Sequence, residues 1–298
     1  MHIEDTHPFI FVLNRVVDTL IGVFLALIVN SVHLPRGKNT DVLYVSGIED
    51  VMLTGEELLT DYSKVELNRI IDTGANFTVA TIRTPASVME SLSDIHLKLP
   101  IIAMDGAVLY DLKDNRYLKT YSMSYNKAQK IIEILREEDV NFFINVVVED
   151  VLIIYYHHLE NEAETQIYKQ MRKSPHRNYV RRNLPEGEEV AYFMMVDQTE
   201  KIQKIYERLK VKIHSQEYKM LCYASKDYPG YSYIKIYDKD ATRERMTKYL
   251  AEDMEIHKIT TFGSISGKSD VLVEDSNKNT MVKELKKLFE PVILPWKK

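Results

Sequence analysis

The run Asp41-Val42-Leu43-Tyr44-Val45-Ser46-Gly47-Ile48-Glu49-Asp50-Val51-Met52-Leu53 has the outline of a first core strand that opens into an active-site loop carrying two carboxylates. A nucleophile needs a side-chain atom, and Gly47, where the strand gives way to the loop, offers none. Glu49, two residues on, carries a carboxylate of the kind that acid/base chemistry uses. Three other groupings draw the eye. In Tyr156-His157-His158 two imidazoles are adjacent, but neighbours on a strand point to opposite faces, so the pair does not converge on a metal. The basic stretch Lys169, Arg172, Lys173, His176, Arg177, Arg181, Arg182 reads as a solvated face or loop. Cys222, the single cysteine, cannot form an internal disulfide; within Met220-Leu221-Cys222-Tyr223-Ala224 it reads as a buried strand residue and implies a reducing compartment.

The elements that must position these groups follow from periodicity. The chain has 298 residues with 45% hydrophobic content, enough for one large domain or two ordinary ones, and its net charge of −5 gives no reason to expect nucleic acid as a partner. Residues 9–32 carry a long apolar run; a helix of about 24 residues is roughly 36 Å long, sufficient for a bilayer core of about 30 Å. Arg15 and Asp18 interrupt it, and Arg36 and Lys38 follow on the side expected in the cytoplasm. This segment and its linker, residues 1–40, are expected to be either a membrane anchor on the inner face of the cell membrane or a helix docked on a cytoplasmic body. From Asp41 a strand, helix, strand alternation predicts a parallel βαβ unit and a doubly wound sheet. The pattern changes near Lys113 into helix Tyr125–Glu138, a hairpin turning at Glu149-Asp150, a helix capped by Asn161, and further α+β elements. It resumes with helix Thr242–Met254 and strand Ile259–Phe262.

Four motifs in register resemble those of the haloacid dehalogenase (HAD) phosphatases, Cof-type class IIB. Asp41–Leu53 is similar to the opening Asp-x-Asp motif, with Gly47 in the place of the nucleophilic aspartate and Glu49 in that of the acid/base aspartate. Phe77-Thr78-Val79-Ala80-Thr81-Ile82-Arg83 resembles the second motif, with Thr81 in the phosphate-binding position. Asp105-Gly106-Ala107 stands for the Asn-Gly-Ala turn of that subfamily. Asp240-Ala241-Thr242-Arg243 places Arg243 where the family has lysine, and Thr261-Phe262-Gly263-Ser264-Ile265-Ser266-Gly267-Lys268 puts Ser264 and Lys268 where it has magnesium-binding carboxylates.

The resemblance implies an α/β fold: a HAD-like Rossmannoid three-layer core, residues 41–112 and 231–298, with an inserted α+β cap of the C2B type, residues 113–230. It implies magnesium, but the carboxylates that would hold the ion are missing, so no cofactor is expected. The leading expectation is a pseudophosphatase binding a phosphorylated small molecule or a protein partner, with Thr81, Arg243, Lys268 and Asp105 as ligand-binding residues; an active hydrolase of sugar phosphates or related phosphomonoesters, using other residues, is the alternative. Lone Trp296 is expected to pack the tail on the core.

Overall fold

The computed structural model describes residues 8–31, 37–52, 59–273 and 279–292, in two compact units: residues 1–39 with 287–298, and residues 40–286. Trp296 lies outside the described residues. In the first unit, helix α1 (Pro8–Ser31) forms over the long apolar run, with Leu20 and Phe24 exposed. Among the described residues no helix is long and apolar enough to cross a membrane, so the spanning segment expected over residues 9–32 is not supported.

The second unit holds two sheets. Chain order runs β1 (Val42–Gly47), α2 (Asp61–Asp72), β2 (Asn76–Ala80), α3 (Pro85–Leu92), β3 (Ile101–Ala103), β4 (Val108–Asp111), β5 (Arg116–Thr120), α4 (Tyr125–Glu137), β6 (Phe143–Val148), β7 (Val151–Tyr156), α5 (Glu162–Met171), β8 (Arg177–Arg181) and β9 (Tyr192–Gln198). It continues with α6 (Thr199–Lys212), β10 (Tyr218–Ala224), β11 (Tyr231–Asp238), α7 (Arg243–Asp253), β12 (Lys258–Gly263), β13 (Val271–Leu272) and α8 (Thr280–Phe289). The core sheet has the order β13-β12-β1-β2-β3-β4-β5 and the cap sheet β10-β11-β9-β6-β7-β8. β1, β2, β3, β12 and β13 run parallel, while β4 and β5 are antiparallel additions at one edge.

Two boundaries differ from the sequence reading. β5 falls in the segment assigned to the cap yet pairs with β4 in the core sheet. β11, assigned to the core from Tyr231, pairs with β9 and β10 in the cap sheet. The polar edge strand Arg116-Tyr117-Leu118-Lys119-Thr120 carries little apolar signal, and β11 is apolar enough on both faces to pass for a buried parallel strand.

Local chemistry explains the elements that matter for the site. Leu43, Val45, Ala80 and Ile102 on one face of the core sheet pack against Met246, Leu250 and Ala251 of α7. Thr242 caps α7, its hydroxyl accepting from Arg245 N–H, which fixes where Arg243 begins the helix. Asn161 and Glu164 close a capping box on α5. After β3 the chain turns sharply, with positive φ at Met104, Asp105 and Gly106. Met104 N–H donates to Arg83 carbonyl oxygen and Asp105 N–H to that of Thr81, tying this turn to the loop after β2. Gly106 is required on two grounds: its φ is +93°, and a Cβ there would lie 2.1 Å from the Thr242 carbonyl carbon. Gly106→Ala is accordingly expected to cost about 2–4 kcal/mol of stability in urea denaturation, by backbone strain plus a clash that pushes α7 off the turn.

Candidate functional site

Because β1, β2 and β12 run parallel, their carboxyl ends share one edge, where open α/β sheets gather ligand-binding groups. Gly47 pairs with Ala80, which places it beside the Thr81 loop, and Ser46 pairs with Phe262, just before Ser264. Gly47 is not sterically required: a Cβ there would meet nothing closer than Val51 Cγ2 at 3.7 Å, with Arg243 Nη1 at 3.9 Å. What is lacking at this position is a nucleophile, not room for one.

The position is served instead by Glu49. Its Oε1 accepts a short hydrogen bond from Thr81 Oγ1 and another from Ile82 N–H at 3.0 Å. Its Oε2 lies 3.7 Å from Arg243 Nη2. Arg243 Nε in turn donates to Asp105 Oδ1 at 2.7 Å. Asp105 Oδ2 accepts from Lys219 Nζ at 3.0 Å, and the same ammonium donates to the carbonyl oxygens of Asp105 and Ala241. Thr81, Arg243 and Asp105, three of the four residues expected to bind a ligand, are thus gathered around Glu49. The anion they hold is the chain's own carboxylate.

Ser264 and Lys268 are not part of this cluster. Both are exposed, and neither lines the cleft. Asp270 folds their loop back by accepting from Thr261 N–H and Oγ1, both at 2.8 Å. A divalent magnesium ion needs carboxylate and other hard oxygen ligands. Gly47, Ser264 and Lys268 supply no carboxylate, while Glu49 and Asp105 are engaged by Arg243, so the described residues do not fit that ion. Among the described residues no group of three or more His, Cys, Asp or Glu could hold a metal. His158 pairs with Glu160 at 2.8 Å.

Above this cluster a cleft of about 760 Å³ opens between the core edge and the cap sheet. The cap sheet alternates: Ile144, Phe193, Met195, Ile234 and Ile236 pack with α4 and α6, while Asn145, Tyr192, Met194, Tyr233 and Lys235 line the cleft. Sequence reasoning missed the cap cations. Lys219 lies just before the strand expected over Met220–Ala224, and Lys235 lies in a segment given no strand of its own; the alternation Tyr231, Tyr233, Lys235, Tyr237 is the signal that sets one face of β11 apart. Arg177 was grouped with a solvated basic run, yet it begins β8 and is only 6% exposed. Its Nη2 donates to Ser87 Oγ of α3 at 2.9 Å, linking cap and core.

Lys235 is 7% exposed, with its ammonium donating to the Ile82 carbonyl oxygen and lying 5.2 Å from the centroid of the Tyr192 ring and 5.7 Å from that of Tyr223. Burial pulls its pKa down to about 8, against the opposing pull of Asp105 and Glu49. Between about pH 8 and the ordinary lysine value the unfolded chain holds more protons, so for this group stability rises with pH across that window. Lys235→Met should therefore be more stable than wild type at pH 7, and the difference should shrink as pH approaches 10.5. Urea denaturation of both proteins across that range measures it, and a constant difference would show that Lys235 is not charged at a cost.

The comparisons agree with this architecture. A family model described as haloacid dehalogenase-like hydrolase matches residues 46–289. A Mycoplasma pneumoniae protein with a provisional phosphatase name is 33% identical over 72 residues; the match covers 23% of this chain and only a quarter of that protein. A HAD/COF-like hydrolase from Plasmodium vivax superposes with a TM-score of 0.62 at 10% identity, covering 85% of this chain and 97% of its own. A haloacid dehalogenase-like hydrolase from Bacteroides thetaiotaomicron gives 0.59 at 12% identity, covering 82% and 98%. At such identities the superpositions speak for the fold alone. With its core sheet and inserted cap, the chain belongs to the haloacid dehalogenase-like hydrolase family, whose model matches most of its length.

Proposed function

We propose that this chain binds a phosphorylated small molecule in the cleft between core and cap and does not hydrolyse it through a covalent phosphoenzyme. The observation that carries this reading is the seat of Glu49. By resemblance, the Thr81 hydroxyl, the adjacent backbone amide and the cation at position 243 are the groups that hold a substrate phosphate; here all three face the Glu49 carboxylate. No carboxylate stands at Gly47 to attack phosphorus, and positioning cannot supply a missing covalent route.

A ligand phosphate reaches this cradle by displacing Glu49. The exchange is reasonable on charge: a phosphate dianion brings more charge to Arg243 than one carboxylate does, and guanidinium groups hold phosphate through two parallel hydrogen bonds. A second reading, an active hydrolase of phosphomonoesters, is favoured by the same contact, since a carboxylate held against Thr81 and Arg243 is also placed where a nucleophile could act. A protein partner in place of the small molecule is the outcome if no anion binds.

Purified protein is expected to show no magnesium-dependent turnover of 4-nitrophenyl phosphate. Glu49→Ala is expected to bind inorganic phosphate at least tenfold more tightly than wild type in calorimetric titration with chelator present, and adding Arg243→Ala should cost about 1.5–3 kcal/mol of that binding. Robust wild-type turnover that Glu49→Gln abolishes would establish the hydrolase instead. Unchanged phosphate affinity in Glu49→Ala would overturn the assignment of the cradle.

A further inference from the structure

The cap sheet ends in an open, basic edge. From Thr165 to Pro185 the chain has no acid, although its net charge is −5, and the same stretch carries Lys169, Arg172, Lys173, Arg181 and Arg182, all exposed. Among the described residues none of these five is in an ion pair. Arg172 Nη1 donates to the Tyr168 hydroxyl oxygen at 3.1 Å, and Arg181 Nε to the His157 carbonyl oxygen at 2.7 Å. Burial first, then the positive neighbours Arg136, His158 and Arg181, hold His157 below the usual histidine value, so the field at this end of the cap is positive. A surface that serves solubility alone intersperses both signs. A strip of one sign, in a chain of the opposite net charge, builds a local field that attracts anions.

The strip runs along a strand edge. β8 stands at the end of the cap sheet order and pairs with β7 alone, residue for residue from Leu152 with Arg177 to Tyr156 with Arg181. An edge strand turns a row of backbone N–H and C=O groups outward. Outside that ladder the Val180 carbonyl, which accepts from Arg182 N–H at 3.1 Å, is the one β8 backbone group engaged among the described residues. A second copy is a poor occupant, since antiparallel pairing of two β8 edges sets like charges against each other across the new ladder. The same cations favour an incoming strand that carries carboxylates, because a guanidinium grips a carboxylate with two parallel hydrogen bonds. A nucleic acid would meet the charges but has no strand backbone to pair with the edge.

We propose that the outer edge of β8 is a docking strip for an extended, acidic segment of a protein partner, which adds to the cap sheet as a further strand and sets its carboxylates on Arg181 and Arg182. β8 spans five residues, so the segment that matches it is of similar length. The strip shares no residue with the cradle of Glu49, Thr81 and Arg243, and it holds whether or not that cradle takes a phosphate.

The test is fluorescence anisotropy of fluorescein-labelled peptides titrated with the full-length protein in low-salt buffer. The probe is a peptide of alternating glutamate and valine. It is compared with the same peptide carrying lysine for glutamate, with the acidic peptide N-methylated at every backbone amide, and with an oligothymidylate of equal charge. The acidic peptide is expected to bind at least tenfold more tightly than each of the three. Arg182→Glu should weaken it several-fold, and adding Arg181→Glu should bring the loss to at least tenfold. Because Arg181 also holds the His157 carbonyl, Arg182→Glu is the variant that decides if the double variant fails to fold. The proposal is overturned if the acidic peptide does not bind or if Arg182→Glu binds it as wild type does. Equal binding of the N-methylated peptide would show attraction of charge without an added strand, and equal or tighter binding of the oligothymidylate would make the strip a nucleic-acid surface. Either result overturns the proposal as well.

Discussion

One guanidinium shared between two carboxylates organises this molecule. Arg243 starts α7, contacts Glu49 from the loop after β1 and Asp105 from the turn after β3, and through Asp105 reaches Lys219 of the cap. Four charges in one place, Arg243 half-buried and the other three more deeply placed, depend on having partners, and removing one leaves the others less well paired. The demand for pairing therefore fixes the β1 loop, the strained turn at Met104 and Asp105, the start of α7 and one edge of the cap relative to one another. Gly106 makes the arrangement possible by letting the turn touch the Thr242-Arg243 peptide.

The two walls of the cleft differ in electrostatic state. On the core side Glu49 and Asp105 face Arg243, Lys219 reaches Asp105 from the cap, and the hydroxyl and amide donors are filled. On the cap side Arg177, Lys235 and Asn145 stand in a tyrosine-rich surface whose lining carboxylate, Asp227, is exposed. A phosphate arriving at the core must compete with Glu49 for the Thr81 hydroxyl, the Ile82 N–H and Arg243.

Much of the architecture was legible in the sequence because it is local. The βαβ alternation, the Thr242 and Asn161 caps, and the hairpin turning at Glu149, which takes a positive φ, all declare themselves in short windows. What was hidden depends on what lies opposite. β5 is a polar edge strand, and β11 is apolar towards α6 and aromatic towards the cleft, so neither advertises its sheet. Arg177 could not be told from its solvated neighbours, because burial of one residue in a basic run is decided by the strand it starts. Thr81, Asp105 and Arg243 were found from motif frame and do converge. Lys268 was placed by the same frame and does not, because the loop that carries it is folded back by Asp270 onto Thr261. That Glu49 would occupy the cradle was beyond sequence reading, as it depends on the depth of the loop after β1.

The central claim, that Glu49 serves this site as an internal anion and not as a nucleophile, is tested most directly by intact-mass spectrometry. Protein incubated with acetyl phosphate and magnesium, then quenched in acid to preserve any acyl phosphate, should show no species heavier by one phosphoryl group. A phosphorylated species whose peptide mapping places the group on Glu49 would contradict the account and make this carboxylate the nucleophile of an active enzyme.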